Sequence, residues 1–217
     1  MPLKRTGYLI LLSILFLAIA IAVLFLPKAL TQASIRGVEV LLIRFFGLYG
    51  FLLLSITALT TPFLVEITRA FGRSFIKIHH AFAATGLLLI TLHPIFNALQ
   101  TLTLQVFVPI FSSWISFWTY AGRLALYLLY IGIGAALLRM KSPRYWRIFH
   151  TLVYVVLFFG IVHANLLGGD FTNIGIQVIF DTLFVASIVG LAYKRYRNYA
   201  IRRKYQNLKK NQPKNET

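Results

Sequence analysis

Six apolar runs separated by short polar or basic segments dominate the chain. Each is about twenty residues long, the length that crosses a bilayer as a helix. The first runs from Tyr8 to Leu26 and stops at Pro27-Lys28; the second covers Val38 to Thr61 and stops at Pro62. The third extends from Phe75 to Leu99 and the fourth from Tyr120 to Leu138. The fifth covers Trp146 to Leu167, ahead of Gly168-Gly169-Asp170, and the sixth Ile174 to Tyr193. The pattern predicts an all-α fold, an integral membrane six-helix bundle. The stretch from Thr101 to Thr119 is also uncharged, but Pro109, Ser112, Ser113, Trp114 and Trp118 within it predict a hydrophobic loop or interfacial helix, not a seventh span. Lys4-Arg5 ahead of the first run also fits a signal peptide cleaved near Thr31-Gln32-Ala33. Its 19 apolar residues exceed the roughly 7–15 of such a segment, which predicts a retained anchor. Three regions result: an anchor helix and loop over 1–37, a helical core over 38–193, and a basic tail over 194–217.

Composition makes lipid the solvent. Apolar residues are 59% of the chain and charged ones 12%, where soluble domains carry about 25% charged residues. A chain of this length has no core large enough to hide that much apolar surface. The charge is lopsided, with 22 Lys and Arg against 5 Asp and Glu. With six spans, one side receives Lys4, Arg5, Arg69, Arg73, Lys77, Arg139, Lys141, Arg144, Arg147 and nine tail residues; the other receives Lys28, Arg36 and Arg123. Positive charge in short loops stays inside, so a multi-pass protein of the cell membrane with cytoplasmic N- and C-termini is expected. Topology and anionic lipid then account for the basic excess, and no nucleic-acid partner is needed. Cysteine is absent, which excludes disulfides, thiolate metal sites, iron–sulfur clusters and covalently attached haem.

All five histidines, His79, His80, His93, His150 and His163, fall in the third and fifth runs. Ionisable groups inside spans are costly and are functional by default. His79 to His93 is 14 residues and His150 to His163 is 13, so two helices of like direction bring imidazoles together at two levels about 21 Å apart. Two opposed imidazole pairs are what two six-coordinate b haems require. Fourteen positions return a helix to within about 40° of its starting direction, whereas thirteen miss by about 140°. His79 therefore shares a face with His93, whereas His150 and His163 need a bulge, a bend, or haems approaching from different sides. Against His79 stands the likeness of Lys77-Ile78-His79-His80 to Arg147-Ile148-Phe149-His150, which pairs His80 with His150. Gly86, midway between His79 and His93, admits either a flat macrocycle or a neighbouring helix. Polar contacts between helices and a zinc or copper site are the other uses of such histidines. Two separated levels with no adjacent carboxylate fit those uses less well.

The six-run layout and these spacings resemble the ferric reductase-like transmembrane domain, over roughly residues 38–193. That group includes ferric reductases, NADPH oxidases and the haem-binding membrane subunit of the methionine-sulfoxide reductase system, to which the layout is most similar. Trp146-Arg147-Ile148-Phe149-His150 followed by Tyr154 resembles the family's W-R-x-x-H-x-x-x-Y, and Arg44 in the second run is a further match. The resemblance implies two b haems per chain held by His79, His93, His150 and His163, with electrons moving between the faces. His80 is the alternative first ligand, and a single haem at the His93–His163 level is the variant if the inner site is lost. The family's flavin and nicotinamide domains have no counterpart in the 24 residues after Tyr193, so no FAD or NAD site is expected. A soluble flavin reductase or a quinol would donate electrons, and an outer-face protein would accept them. Arg44 would pair with a haem propionate, with Arg73, Lys77 and Arg147 serving the inner level. Asp181 would pair with Arg44 or Arg123, or relay protons from a quinol. The competing functions are a quinol-oxidising cytochrome b anchor subunit and a non-haem membrane metal transporter.

Overall fold

A computed structural model describes residues 5–30, 35–71, 74–141 and 145–210. Expectations resting on Lys4, Thr31-Gln32-Ala33, Arg73, Arg144 and tail residues 211–217 lie outside the described residues. The helices are α1 (Arg5–Leu30), α2 (Ile35–Thr60), α3 (Leu64–Phe71), α4 (Ile76–Thr101), α5 (Trp114–Thr119), α6 (Ala121–Leu137), α7 (Trp146–His150), α8 (Leu152–Leu167) and α9 (Ile174–Lys210). Six stretches among the described residues are long and apolar enough to cross a membrane. The surface agrees: Phe16 is 70% exposed and Val189 59%, side chains that water would penalise and lipid accepts. The chain is an all-α, multi-pass membrane bundle.

Helix ends follow local chemistry. Pro62 closes α2 through a 3-10 turn at Thr61–Phe63, which opens directly into α3. α4 ends at Leu102, whose left-handed φ of 50° lets its N–H reach back to the Ala98 carbonyl. The 101–119 stretch forms a 3-10 turn and the short α5. Arg123 holds it by donating to the carbonyls of Gln105 at 2.7 Å and Val108 at 2.9 Å.

Two helical hairpins organise the interior: α4 packs along α2, and α8 along α6. Small residues bring α2 and α4 together, since a Cβ on Gly50 would stand 2.8 Å from the Ile90 nitrogen. Gly86 serves the same contact from the other side, facing Leu53 and Leu54 at 3.2 Å; the neighbour it admits is a helix. A core of Ile21 and Phe25 from α1, Leu48 and Leu52 from α2, Ile161 from α8 and Phe180 from α9 binds the outer helices to the hairpins.

α9 departs from expectation. It runs as one helix past Tyr193 to Lys210, so the boundary at 194 marks a change of chemistry but no structural break. Glu66 of α3 meets Lys194 and Arg197 of α9 at the same end of the bundle, here termed the basic end. The turn at 168–173 and α5 lie at the opposite end.

Candidate functional site

The histidines sit on α4, α7 and α8, and their rings face the partner helix of each hairpin. At the end away from the basic end, His93 Nδ1 lies 2.8 Å from the Ile43 carbonyl of α2, and His163 Nδ1 lies 2.6 Å from the Thr119 carbonyl at the end of α5. At the basic end, His79 Nδ1 approaches Thr61 Oγ1 at 3.5 Å, and His150 Nδ1 approaches the Gly132 carbonyl of α6 at 3.4 Å. A carbonyl oxygen can only accept, so Nδ1 of His93, His163 and His150 carries the proton in these contacts. Nε2 of all four rings has no hydrogen-bond partner among the described residues.

His79 lies within electrostatic reach of His150, and His163 within reach of His93. The helices that carry them, α4 and α8, are not closely packed against each other. His80 differs from the four: it is exposed, makes no hydrogen bond among the described residues, and meets only the His79 ring, at 5.6 Å between centroids. His79 is buried.

A one-residue interruption stands between His150 and His163. The helix breaks at Thr151, directly after His150, and restarts at Leu152. Thr151 Oγ1 donates to the Ile148 carbonyl at 2.6 Å, and its backbone N–H is shared between Arg147 and Ile148 at 3.2 Å each. A hydroxyl that competes for ladder carbonyls bends a helix in this way. Tyr154 then ties the start of α8 to α2 by donating to the Ala58 carbonyl at 3.0 Å.

Two glycines make room for the rings. A Cβ at Gly47 of α2 would stand 2.9 Å from His93 Nδ1, and one at Gly122 of α6 would stand 2.7 Å from His163 Cδ2 and 3.0 Å from its Nε2. Neither glycine, nor the carbonyls of Ile43, Thr119 and Gly132, was singled out by the sequence. A main-chain acceptor carries no residue signature, and a glycine in a membrane helix looks like ordinary close packing.

Arg44 pairs with Asp170 and not with the expected Asp181. Its Nε donates to Asp170 at 2.8 and 3.0 Å, an Nη reaches the same carboxylate, and the guanidinium stands 5.3 Å from the Phe25 ring. This pair fastens α2 to the α8–α9 turn. Removing one member of a buried pair strands the other charge, so Asp170→Ala should cost on the order of 3 kcal/mol, and Arg44→Leu with Asp170→Leu should recover most of it. Detergent-solubilised unfolding of the single and double variants measures this. Asp181 accepts from Asn165 Nδ2 at 3.0 Å, and Gln177 donates to Asn165 at 2.7 Å, so neither Arg44 nor Arg123 reaches it. Lys77 and Arg147 are exposed at the basic end, and Arg147 lies 5.9 Å from the Trp146 ring.

Among the described residues no three His, Asp or Glu side chains converge as a metal-binding cluster. Compared with known protein families, with characterised proteins and with solved structures, the chain matches none.

Proposed function

We propose that this chain is a membrane cytochrome b that carries electrons across the bilayer through two bis-histidine haem b sites, in the manner of ferric reductase-like proteins. One observation carries the reading: His79 and His150, and likewise His93 and His163, are near enough to interact electrostatically, and each of the four turns Nδ1 toward a protein oxygen with Nε2 unclaimed among the described residues. Histidines that bind a metal through one ring nitrogen commonly donate the other N–H to a carbonyl, which fixes tautomer and ring direction. Haem iron held by two imidazoles supplies a reversible one-electron change with no open position for oxygen. Ile43, Thr119 and Gly132 orient three of the rings, and Thr61 approaches the fourth. α4 and α8, which carry three of these rings, are not closely packed against each other, which leaves room for a flat macrocycle to be tested between them.

A zinc or copper carrier would gather three or four ligands at one point, which the paired arrangement does not offer. The basic end is cytoplasmic on this reading, by the distribution of Lys and Arg, and the start of α1 and the end of α9 lie there. A quinol as donor has one feature in its favour: the Asn165–Gln177–Asp181 network, a carboxylate with two carboxamides within the span region near His163.

Pyridine haemochrome assay of the purified chain should return two b haems per polypeptide, and electron paramagnetic resonance should show both low-spin. A ratio near one would remove the two-site reading. No haem, with zinc or copper bound instead, would replace it with the metal-carrier reading. Reduction by quinol alone in stopped flow would assign the donor to lipid.

A further inference from the structure

The stretch between α4 and α6 packs on α8 at bilayer depth. His163 stands four residues before Leu167, where α8 ends, so it is about 6 Å inside that span. Its Nδ1 meets the Thr119 carbonyl, at the end of α5, at 2.6 Å. The Trp118 ring stacks on Phe159 at 5.5 Å and meets Phe158 at 5.7 Å, and Phe117 meets Phe159 at 6.1 Å. Phe159 is eight residues from the end of α8, about 12 Å along its axis. Phe158 is 41% exposed on a segment apolar enough to cross a membrane, so acyl chains surround it. α5 therefore rests beside the lipid-facing side of α8, below the level where that span ends.

The side of this stretch turned away from the bundle is apolar. Leu104, Phe111, Trp114 and Ile115 are 71 to 76% exposed, and Phe111 stacks on Phe117 at 5.7 Å. No Asp, Glu, Lys or Arg stands between Lys77 and Arg123. An exposed apolar patch of this kind marks a contact surface, and the depth beside α8 puts acyl chains and headgroups around it. The backbone fits the same surroundings. Non-helical backbone is tolerated at membrane depth where protein groups satisfy it. Here the Arg123 guanidinium takes the carbonyls of Gln105 and Val108, and the Tyr127 hydroxyl donates to that of Phe107 at 2.9 Å.

Six residues are too few to hold a helix by themselves. The position of α5, and with it the Thr119 carbonyl, is set by what packs on its two sides. One side is α8. We propose that the other is lipid: the 104–119 stretch is embedded in the interface of the leaflet away from the basic end, and this contact holds the Thr119 carbonyl on His163. Thr119 is then a positioning residue through its main chain, and the bilayer helps to set the direction of the His163 ring. What that ring does rests on the haem reading above, whereas the embedding and the ring contact are measurable without haem.

The test uses the full chain in phosphatidylcholine liposomes. Trp118→Phe with Trp146→Phe leaves Trp114 as the fluorescent reporter, with unchanged helicity by circular dichroism as the control. Phosphatidylcholine brominated near the headgroup end of its acyl chains should quench Trp114 about twofold, and aqueous acrylamide should quench it little. Phe111→Glu with Ile115→Glu in that background should abolish the quenching by lipid. In the otherwise native chain, made with isotope-labelled histidine, the same pair should shift the Nδ1 resonance of His163, assigned by its loss in His163→Gln. Ile174→Glu, at an exposed apolar position of α9 at the same end, should change neither signal. With haem bound, the double glutamate variant should move the potential of one centre only. Quenching by acrylamide and not by brominated lipid overturns the embedding. Shielding from both gives this face to a protein neighbour and overturns it too. Lipid quenching that survives the two glutamates, or an unchanged His163 resonance in that variant, overturns the hold on the ring. If the chain holds no haem, the electron-transfer reading fails, and the fluorescence and the nitrogen resonance still decide this proposal.

Discussion

His163→Ala should remove one of two haem centres and leave the other intact, and His93→Ala should remove the same one. His150→Ala and His79→Ala should each remove the second centre, and His80→Ala should remove neither. The pairing follows from which rings lie within reach of each other, His163 with His93 and His79 with His150. The prediction for His80 follows from its exposure and its lack of a hydrogen-bond partner among the described residues, against the burial of His79. Losing one of two axial imidazoles leaves a five-coordinate site whose retention falls steeply, so haem content should drop by about half in each affected variant. Haemochrome quantitation with redox titration identifies which centre remains. Loss of the His150 partner from His80→Ala, or loss of opposite centres from His93→Ala and His163→Ala, would break the pairing scheme. The two levels should also differ in firmness. Contacts of 2.8 and 2.6 Å orient His93 and His163, whereas those of His79 and His150 are 3.5 and 3.4 Å, near the limit of a hydrogen bond. The basic-end centre should be the first lost under mild denaturation.

The spans were legible because lipid imposes a length and a polarity on every segment that crosses it. The stretch from Thr101 to Thr119 was separable from them because proline, paired serines and interfacial tryptophans disfavour a continuous apolar helix. The extension of α9 was not. A fall in hydropathy after Tyr193 marks where lipid ends, and a helix ends only where the backbone is interrupted. Between Gly190 and Pro213 there is no glycine or proline, and Lys, Arg, Gln, Leu and Ala all favour helix. The interruption after His150 is marked by no glycine or proline. It coincides with the Thr151 hydroxyl, which donates to the Ile148 carbonyl.

Long-range pairs were the least legible. Arg44 and Asp170 are 126 residues apart, and an arginine within a span names no partner until the turn after α8 is placed beside it. Asp170 looked like part of a helix-ending Gly-Gly-Asp segment. In the structure its carboxylate accepts from Arg44 of α2. The likeness of Lys77-Ile78-His79-His80 to Arg147-Ile148-Phe149-His150 aligns the exposed His80 with the half-buried His150, whereas helical phase selects the buried His79.

Gly122→Ala should disturb the centre at the His93–His163 level more than any other single-methyl change in the bundle, and Gly134→Ala on the same helix should do nothing to it. Backbone propensity cannot produce that contrast, because alanine is better than glycine in any helix interior by roughly 0.5–1 kcal/mol. Only the neighbours differ. A Cβ at Gly134 meets nothing within 4 Å, whereas one at Gly122 would stand 2.7 Å from His163 Cδ2 and 3.0 Å from Nε2. The ring must then swing away along the edge that carries its unclaimed nitrogen, while Nδ1 is held 2.6 Å from the Thr119 carbonyl. It cannot keep both, so haem retention should fall severalfold and the remaining fraction should show a shifted potential. Gly47→Ala meets His93 at the opposite edge, with Cβ 2.9 Å from Nδ1, where it competes with the 2.8 Å contact to the Ile43 carbonyl. That contact tunes the ring without being the ligand, so here the potential should move while haem is retained. Redox titration and haem quantitation of the three variants separate these outcomes. If Gly122→Ala binds haem with an unchanged potential, the His163 ring is not confined between α6 and the Thr119 carbonyl, and the two-level scheme loses its firmest anchor.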